Sequence, residues 1–282
     1  MKIIKRAILC IMAATLAASA FTLAGAAEEA GNGSPAADVP VIMYHRISAS
    51  NGALGKFVIT PTEMESDLKY LRDNGYATVF VADLLLFVNS GVPLPEKPIM
   101  LTFDDGYHSD WRYLRPLLEK YDMKAVCSII GRFTDEYSAS SQPINFPHLT
   151  WPQITEMTAG GHFEFQSHTY DLHKSTGTRR HKDESEAAYD ARVGGDFDRS
   201  RQRAEEMLGH SFPALTYPFG IMSRDSEKLA RAHGFVCTIS CDDGMNHLKQ
   251  GDTECLYGLK RVGRPHGKGI ESVLAALYKS GR

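Results

Sequence analysis

After residue 23 the sequence contains no apolar run approaching the roughly 18 residues that a membrane-crossing helix needs. No membrane span is therefore expected once an N-terminal leader is removed. An excess of base is also missing, with 31 Lys+Arg against 34 Asp+Glu. Phosphate neutralisation wants the opposite sign, so nucleic acid is not an expected partner. Cysteine is scarce, five in 282 residues, which rules out a disulfide-dense scaffold. The composition is 43% hydrophobic and 23% charged, which suits a chain with a full core and excludes disorder as its general state.

The N-terminus places Lys2, Lys5 and Arg6 ahead of an apolar stretch from Ala7 to about Leu23, followed by Ala24-Gly25-Ala26. This is the pattern of a signal peptide, residues 1–26, and it predicts a secreted, periplasmic or cell-envelope protein. Its removal leaves 28 basic against 34 acidic residues, a balance that suits a neutral or cationic polymer as partner. A Gly/Ser/Pro/Ala-rich linker is expected over 27–38 and one domain over 39–282. Cys127, Cys237, Cys241 and Cys255 would then face an oxidising compartment. Cys237 and Cys241 read as one strand and would lie about 13 Å apart, too far for a disulfide. Cys127 reads as a buried thiol, and Cys241 with Cys255 is the favoured pairing.

Strand-like runs alternate with helical ones along the chain. Val39–Ile47 reads as a buried strand, and Thr60-Pro61-Thr62-Glu63 as the capping box of a helix ending at Asn74-Gly75. PIMLTF precedes SDWRYLRPLLEKY, AVCSII precedes TWPQITEM with a second capping box at Thr150 and Gln153, and HFEFQ precedes a long helical segment, Glu184–Leu208. ALTYP, FVCTIS and YGLKRV continue the pattern up to a last helix in GIESVLAALYKS. Repeated β-then-α units predict an α/β fold with a parallel sheet, open or closed, whose chemistry gathers at the carboxyl ends of the strands. Those ends carry His45, Asp104-Asp105, His168, Tyr217-Pro218, Asp242-Asp243 and Arg261.

Asp104 and Asp105 end the strand PIMLTF, and alternation lets them face different partners, one as a metal ligand and the other as a base. Gly106 allows the chain to turn away at once. His168 and His173 lie five residues apart, a spacing that a helix would splay by roughly 140° but that a loop can bring together. Two imidazoles and a carboxylate leave coordination positions open, as in hydrolytic zinc sites. Such a set suits one divalent transition metal: zinc first, with iron, cobalt or nickel also compatible. His108 reads as a solvated residue at a helix start and His162 as a packing residue, while His247 follows the Asp242-Asp243-Gly244 turn.

TFDDG, the two-histidine segment His168-Thr169-Tyr170-Asp171-Leu172-His173, and a strand ending in Tyr217-Pro218-Phe219-Gly220 together resemble the successive motifs of the polysaccharide deacetylases, the NodB-homology carbohydrate esterases. The five-residue histidine spacing, MYHRI and LTWPQITEM are similar to the branch that deacetylates poly-β-1,6-N-acetylglucosamine. The resemblance implies a distorted (β/α) barrel with fewer than eight regular strands. It further implies Asp104 as general base, and Asp105, His168 and His173 as ligands of the metal. Phe219 would supply a backbone oxyanion donor, with Tyr217, His45 and Arg261 near the substrate. An N-acetylated amino-sugar polymer is the implied partner. The chain departs from the family at two places. Thr216 stands where an arginine usually steadies the catalytic aspartate, so Arg261 or His45 is expected to replace it. The usual Leu-x-His is absent, which leaves His266 in GRPHG as the candidate general acid. The competing readings are a non-catalytic carbohydrate-binding or scaffold relative, and a deacetylase of peptidoglycan, chitin-like oligomers or ester-linked acetyl groups.

Overall fold

In a computed structural model, residues 35–50, 53–140 and 147–280 are described; the expected leader lies outside them. The chain runs β1 (Ala36–Val39), β2 (Val41–Tyr44), β3 (Arg46–Ile47), β4 (Val58–Ile59), α1 (Pro61–Asp73), β5 (Ala77–Thr78), α2 (Val81–Ser90) and β6 (Pro98–Asp105). It continues with α3 (Arg115–Tyr121), β7 (Ala125–Ile129), α4 (Gly131–Ala139), α5 (Trp151–Ala159), β8 (Phe163–Ser167), α6 (Glu186–Tyr189) and α7 (Gly195–Leu208). The last elements are β9 (Ala214–Thr216), α8 (Arg224–Ala232), β10 (Cys237–Ile239), β11 (Asn246–Lys249), β12 (Val262–Gly263) and α9 (Ile270–Ser280).

The main sheet is parallel, in the order β10-β9-β8-β7-β6-β2-β12, with β5 added at the foot of β6. Leu259 bridges Ile239 while Val262 pairs with Ile42, so the short segment before and through β12 touches both margins of the curled sheet. This is the expected distorted (β/α) barrel. Both predicted capping boxes form: the Thr60 and Thr150 side chains accept from Glu63 N and Gln153 N, with proline in the first turn of each helix.

Three local expectations change. Residues 36–38, assigned to the linker, belong to β1, which pairs antiparallel with β11. The first predicted strand breaks at His45 into β2 and β3, whereas the predicted long helical segment 184–208 does form, helical from Glu186 to Leu208 with a π turn at Asp190–Gly194 within it. All four described cysteines are free thiols. The Cys241 sulfur lies against Arg261 and Met43, and the Cys255 sulfur against the Asp252 carbonyl, so the two are engaged by different neighbours.

Strand alternation explains how one fold builds both a core and a site. One face of the strands carries Ile42, Leu101, Phe103, Cys127 and Phe165 into the layer beneath the helices. The other carries Met100, Val126 and Ala214 at its base, then Thr102, Ser128 and Thr216, and finally Asp104. The inward face thus passes from apolar to hydroxyl to carboxylate towards the carboxyl ends. Below the site, buried Asp67 of α1 receives Arg264 Nε at 2.7 Å and Nη2 at 3.0 Å, the Tyr44 hydroxyl at 3.1 Å and Ile270 N at 3.1 Å. This joins β2, α1 and α9 at one carboxylate. Arg264→Met should strand that charge and destabilise the protein by about 3–5 kcal/mol, lowering the thermal midpoint by roughly 10 °C. A melting curve unchanged within 2–3 °C, about 1 kcal/mol for this size, would show that the pair does not clamp the fold.

Candidate active site

Asp104 is buried, and its two oxygens receive Arg261 Nη1 at 2.7 Å and Nη2 at 2.9 Å. Arg261 has no exposed surface; its Nε donates to the Ser240 carbonyl at 2.7 Å and Nη1 reaches Thr102 Oγ1 at 3.2 Å. His45 Nε2 is farther off, 3.9 Å from Asp104 Oδ2, and its ring packs on Phe57. Of the two candidates for the missing arginine, Arg261 makes the bidentate contact. Thr216 uses its hydroxyl on Ser128 Oγ at 2.7 Å. Burial alone would raise the Asp104 pKa, but the charges of Arg261, His168 and His45 outweigh it and hold the carboxyl below its ordinary value.

Asp105 adopts φ 74°, and Gly106 follows at φ 66°. The left-handed turn redirects a side chain that strand alternation would send to the opposite face, so both aspartates reach one centre. A Cβ on Gly106 would lie 2.8 Å from Ile129 Cγ2, which leaves glycine as the residue that fits. Asp105 Oδ1 is buried without an aligned hydrogen bond. It faces His173 Nε2 at 3.2 Å and His168 Nε2 at 3.5 Å, and the three ligand atoms lie within 4.8 Å of one another. Because His168 Nδ1 meets the Thr216 carbonyl at 2.8 Å, it must carry the proton, which leaves the lone pair on Nε2. Burial lowers the His168 pKa and favours this neutral form; the neighbouring imidazoles hold the Asp105 carboxyl low against its own burial. Three converging lone-pair donors, one of them an unsatisfied buried oxygen, fit a divalent transition metal.

The family model described as polysaccharide deacetylase matches residues 91–238. The chain belongs to the polysaccharide deacetylase family. Membership makes it a hydrolase, and several of its relatives are named as N-deacetylases, enzymes of the amide bond. The Bacillus subtilis protein YxkH is 29% identical over 226 residues, covering 80% of this chain and 71% of that protein. A poly-beta-1,6-N-acetyl-D-glucosamine N-deacetylase of Staphylococcus aureus is 22% identical over 213 residues, 71% of each chain. The fold is similar to that of a de-N-acetylase from Aggregatibacter actinomycetemcomitans, with TM-score 0.72 and 24% identity over 85% of this chain and 99% of the other.

Other predicted site residues of this deacetylase fall in different places. Phe219 is 58% exposed, sits at φ 56° and packs on the His173 ring at 4.5 Å. Tyr217 is fully buried and donates its hydroxyl to Glu227 at 3.1 Å, so its side chain turns away from the centre, and only its backbone can serve there. His266 Nδ1 lies 2.8 Å from Glu63 Oε2, at the start of α1. Two supporting residues escaped the sequence reading. His148 donates Nδ1–H to the Asp105 carbonyl at 3.0 Å, and Asp196 accepts Tyr170 N and Asp171 N at 2.8 and 2.7 Å. Asp196 lies far along the chain from the histidine loop, and no local signal links them.

Thr169, at φ 68°, starts that loop. Asp196→Ala should leave two amides unpaired at a price of about 1–3 kcal/mol each. Hydrogen exchange at Tyr170 and Asp171 should accelerate in step. Unchanged protection of those amides would mean the loop holds itself.

Proposed function

We propose that the protein removes N-acetyl groups from an amino-sugar polysaccharide, with poly-N-acetylglucosamine the favoured polymer, outside the cytoplasm and with a divalent transition metal held by Asp105, His168 and His173. The observation that carries this reading is the unequal treatment of the aspartate pair. Asp104 is neutralised by a buried guanidinium, whereas Asp105 presents an unsatisfied oxygen to two imidazoles. The names of the staphylococcal and Escherichia coli relatives support the amino-sugar substrate, although the latter match spans a fifth of that protein's length.

When bound, the metal would supply Lewis acidity towards the acetamide oxygen and make an attacking water more acidic. The protein residues do the rest. Asp104, kept ionised by Arg261, takes the proton of the water through a lone pair that the guanidinium does not occupy. The backbone N–H of Phe219 is the proposed donor to the oxyanion that forms on the acetyl carbonyl. With His266 tied to Glu63, the proton taken by Asp104 is the one available for the departing sugar amine. Phe57 and Phe219, both substantially exposed beside His45 and His173, offer apolar surface to sugar rings.

Acetate release from β-1,6-linked N-acetylglucosamine polymer, chitin oligomers and peptidoglycan tests the reading, with the first expected to be fastest. No acetate from any of them would favour a binding or scaffold role. His168→Ala and His173→Ala should each lose metal by elemental analysis, while Asp104→Asn should keep the metal and lose turnover by at least about 100-fold. Metal loss in Asp104→Asn would instead make that residue a ligand. Arg261→Gln removes the cation that lowers the Asp104 pKa, so the carboxylate would gain its proton at higher pH. The acid limb of the pH–rate profile should therefore move upward with metal content unchanged, and an unmoved limb would count against Arg261 as the partner that matters.

A further inference from the structure

Beside the metal centre, between β3 and the turn that follows β6, lies a pocket of about 490 Å³. Arg46 stands on one wall, and Tyr107, His108, Arg112 and Tyr113 on the other. Ile47 N donates to Ser109 Oγ at 3.2 Å and ties the two walls together, and His108 N donates to the Pro147 carbonyl at 2.8 Å. No acidic side chain lines the pocket. Among the described residues, neither Arg46 nor Arg112 has a carboxylate within ion-pair distance, and Arg46 Nε is buried with no hydrogen-bond partner. Asp110, which contacts Ser109 Oγ, is itself buried and faces Cys127. It does not offset the two guanidinium groups.

Arg46 and Arg112 thus bring positive charge to the pocket with no carboxylate in its lining to offset it. Tyr107 connects the pocket to the reaction centre. It lines the pocket and follows Asp105 by two residues, with its ring stacked on His148, whose Nδ1 meets the Asp105 carbonyl. The pocket is thus next to the place where an acetamide would be cleaved. The negative charge of the whole chain suits a neutral or cationic polymer, but the local sign here is reversed.

We propose that this pocket receives an anionic substituent of the polymer, a carboxylate or a phosphate, next to the acetamide being cleaved. Guanidinium groups match both oxyanions by paired N–H donors, and Arg112 is held in place over the Tyr113 ring, 5.3 Å from its centroid. The inference rests on the reading of the protein as an amino-sugar N-deacetylase and narrows its substrate to an N-acetylglucosamine polymer that carries anionic substituents.

The test measures binding by calorimetry for three N-acetylglucosamine oligomers of equal length: neutral, lactyl-ether carboxylated and 6-phosphorylated. The purified protein should bind a charged oligomer at least about tenfold more tightly than the neutral one, and the preference should shrink as salt rises. The tighter of the two charged oligomers identifies the source of the anion. The preference should fall to near unity in the double variant Arg46→Gln, Arg112→Gln. Arg46→Lys, which keeps the charge but loses the fork, should retain part of it. Equal affinity for charged and neutral oligomers, or a preference that survives the double substitution, overturns the proposal. Acetate release is followed in parallel. Charge-selective binding with no acetate from any oligomer would sink the enzymatic reading and leave the pocket; acetate from all three without charge preference would do the reverse.

Discussion

A guanidinium with no exposed surface can remain in a protein interior only if its donors are met, and Arg261 meets them with the Ser240 carbonyl, the Thr102 hydroxyl and both oxygens of Asp104. Buried ion pairs seldom add much stability over a well-packed apolar alternative. The return here is chemical: one aspartate of a neighbouring pair is neutralised and oriented, so the other can face the imidazoles without two unscreened carboxylates sharing the cavity. Thr216 belongs to the same arrangement. A short hydroxyl that bonds Ser128 leaves the barrel interior free for an arginine arriving from the opposite margin of the sheet.

Backbone strain is concentrated around the same point. Asp105, Thr169 and Phe219 are non-glycine residues at positive φ, and all three follow or end strands whose carboxyl ends form the site. Each costs conformational energy that only surrounding contacts can sustain. For Asp105 the support is the His148 imidazole on its carbonyl; for the loop begun by Thr169 it is the Ser167 hydroxyl on Thr169 N together with the Asp196 carboxylate. The positions of Asp105 and of the histidine loop are thus set by residues that do not themselves face the centre.

Much of this was legible in the sequence because it is local. The capping boxes at Thr60 and Thr150, the alternation of strand and helix, and the position of Asp104-Asp105 and of His168 each at the end of its own strand depend on neighbours a few residues away. What could not be read depends on which strand lies beside which and how far a side chain reaches once there. The choice of Arg261 over His45, the turn of Tyr217 away from the site towards Glu227, and the pairing of His266 with Glu63 all join residues brought together by sheet order or helix packing. The left-handed turn at Asp105 was hidden for another reason: Gly106 announced a turn, but not that the aspartate before it would share the unusual backbone.

The contact between Asp104 and Arg261 spans 157 positions in sequence, and the segment that delivers the arginine is the one that touches both margins of the sheet. Loop-closure entropy makes such long-range contacts slow to form. A chain emerging N-terminus first presents Asp104, Asp105 and both histidines well before Arg261 follows. The pairing of Asp104 with its counter-charge consequently depends on the closure of the sheet: Asp105, His168 and His173 belong to strands and loops that precede it in the chain, whereas Arg261 comes into place only where the two margins are joined.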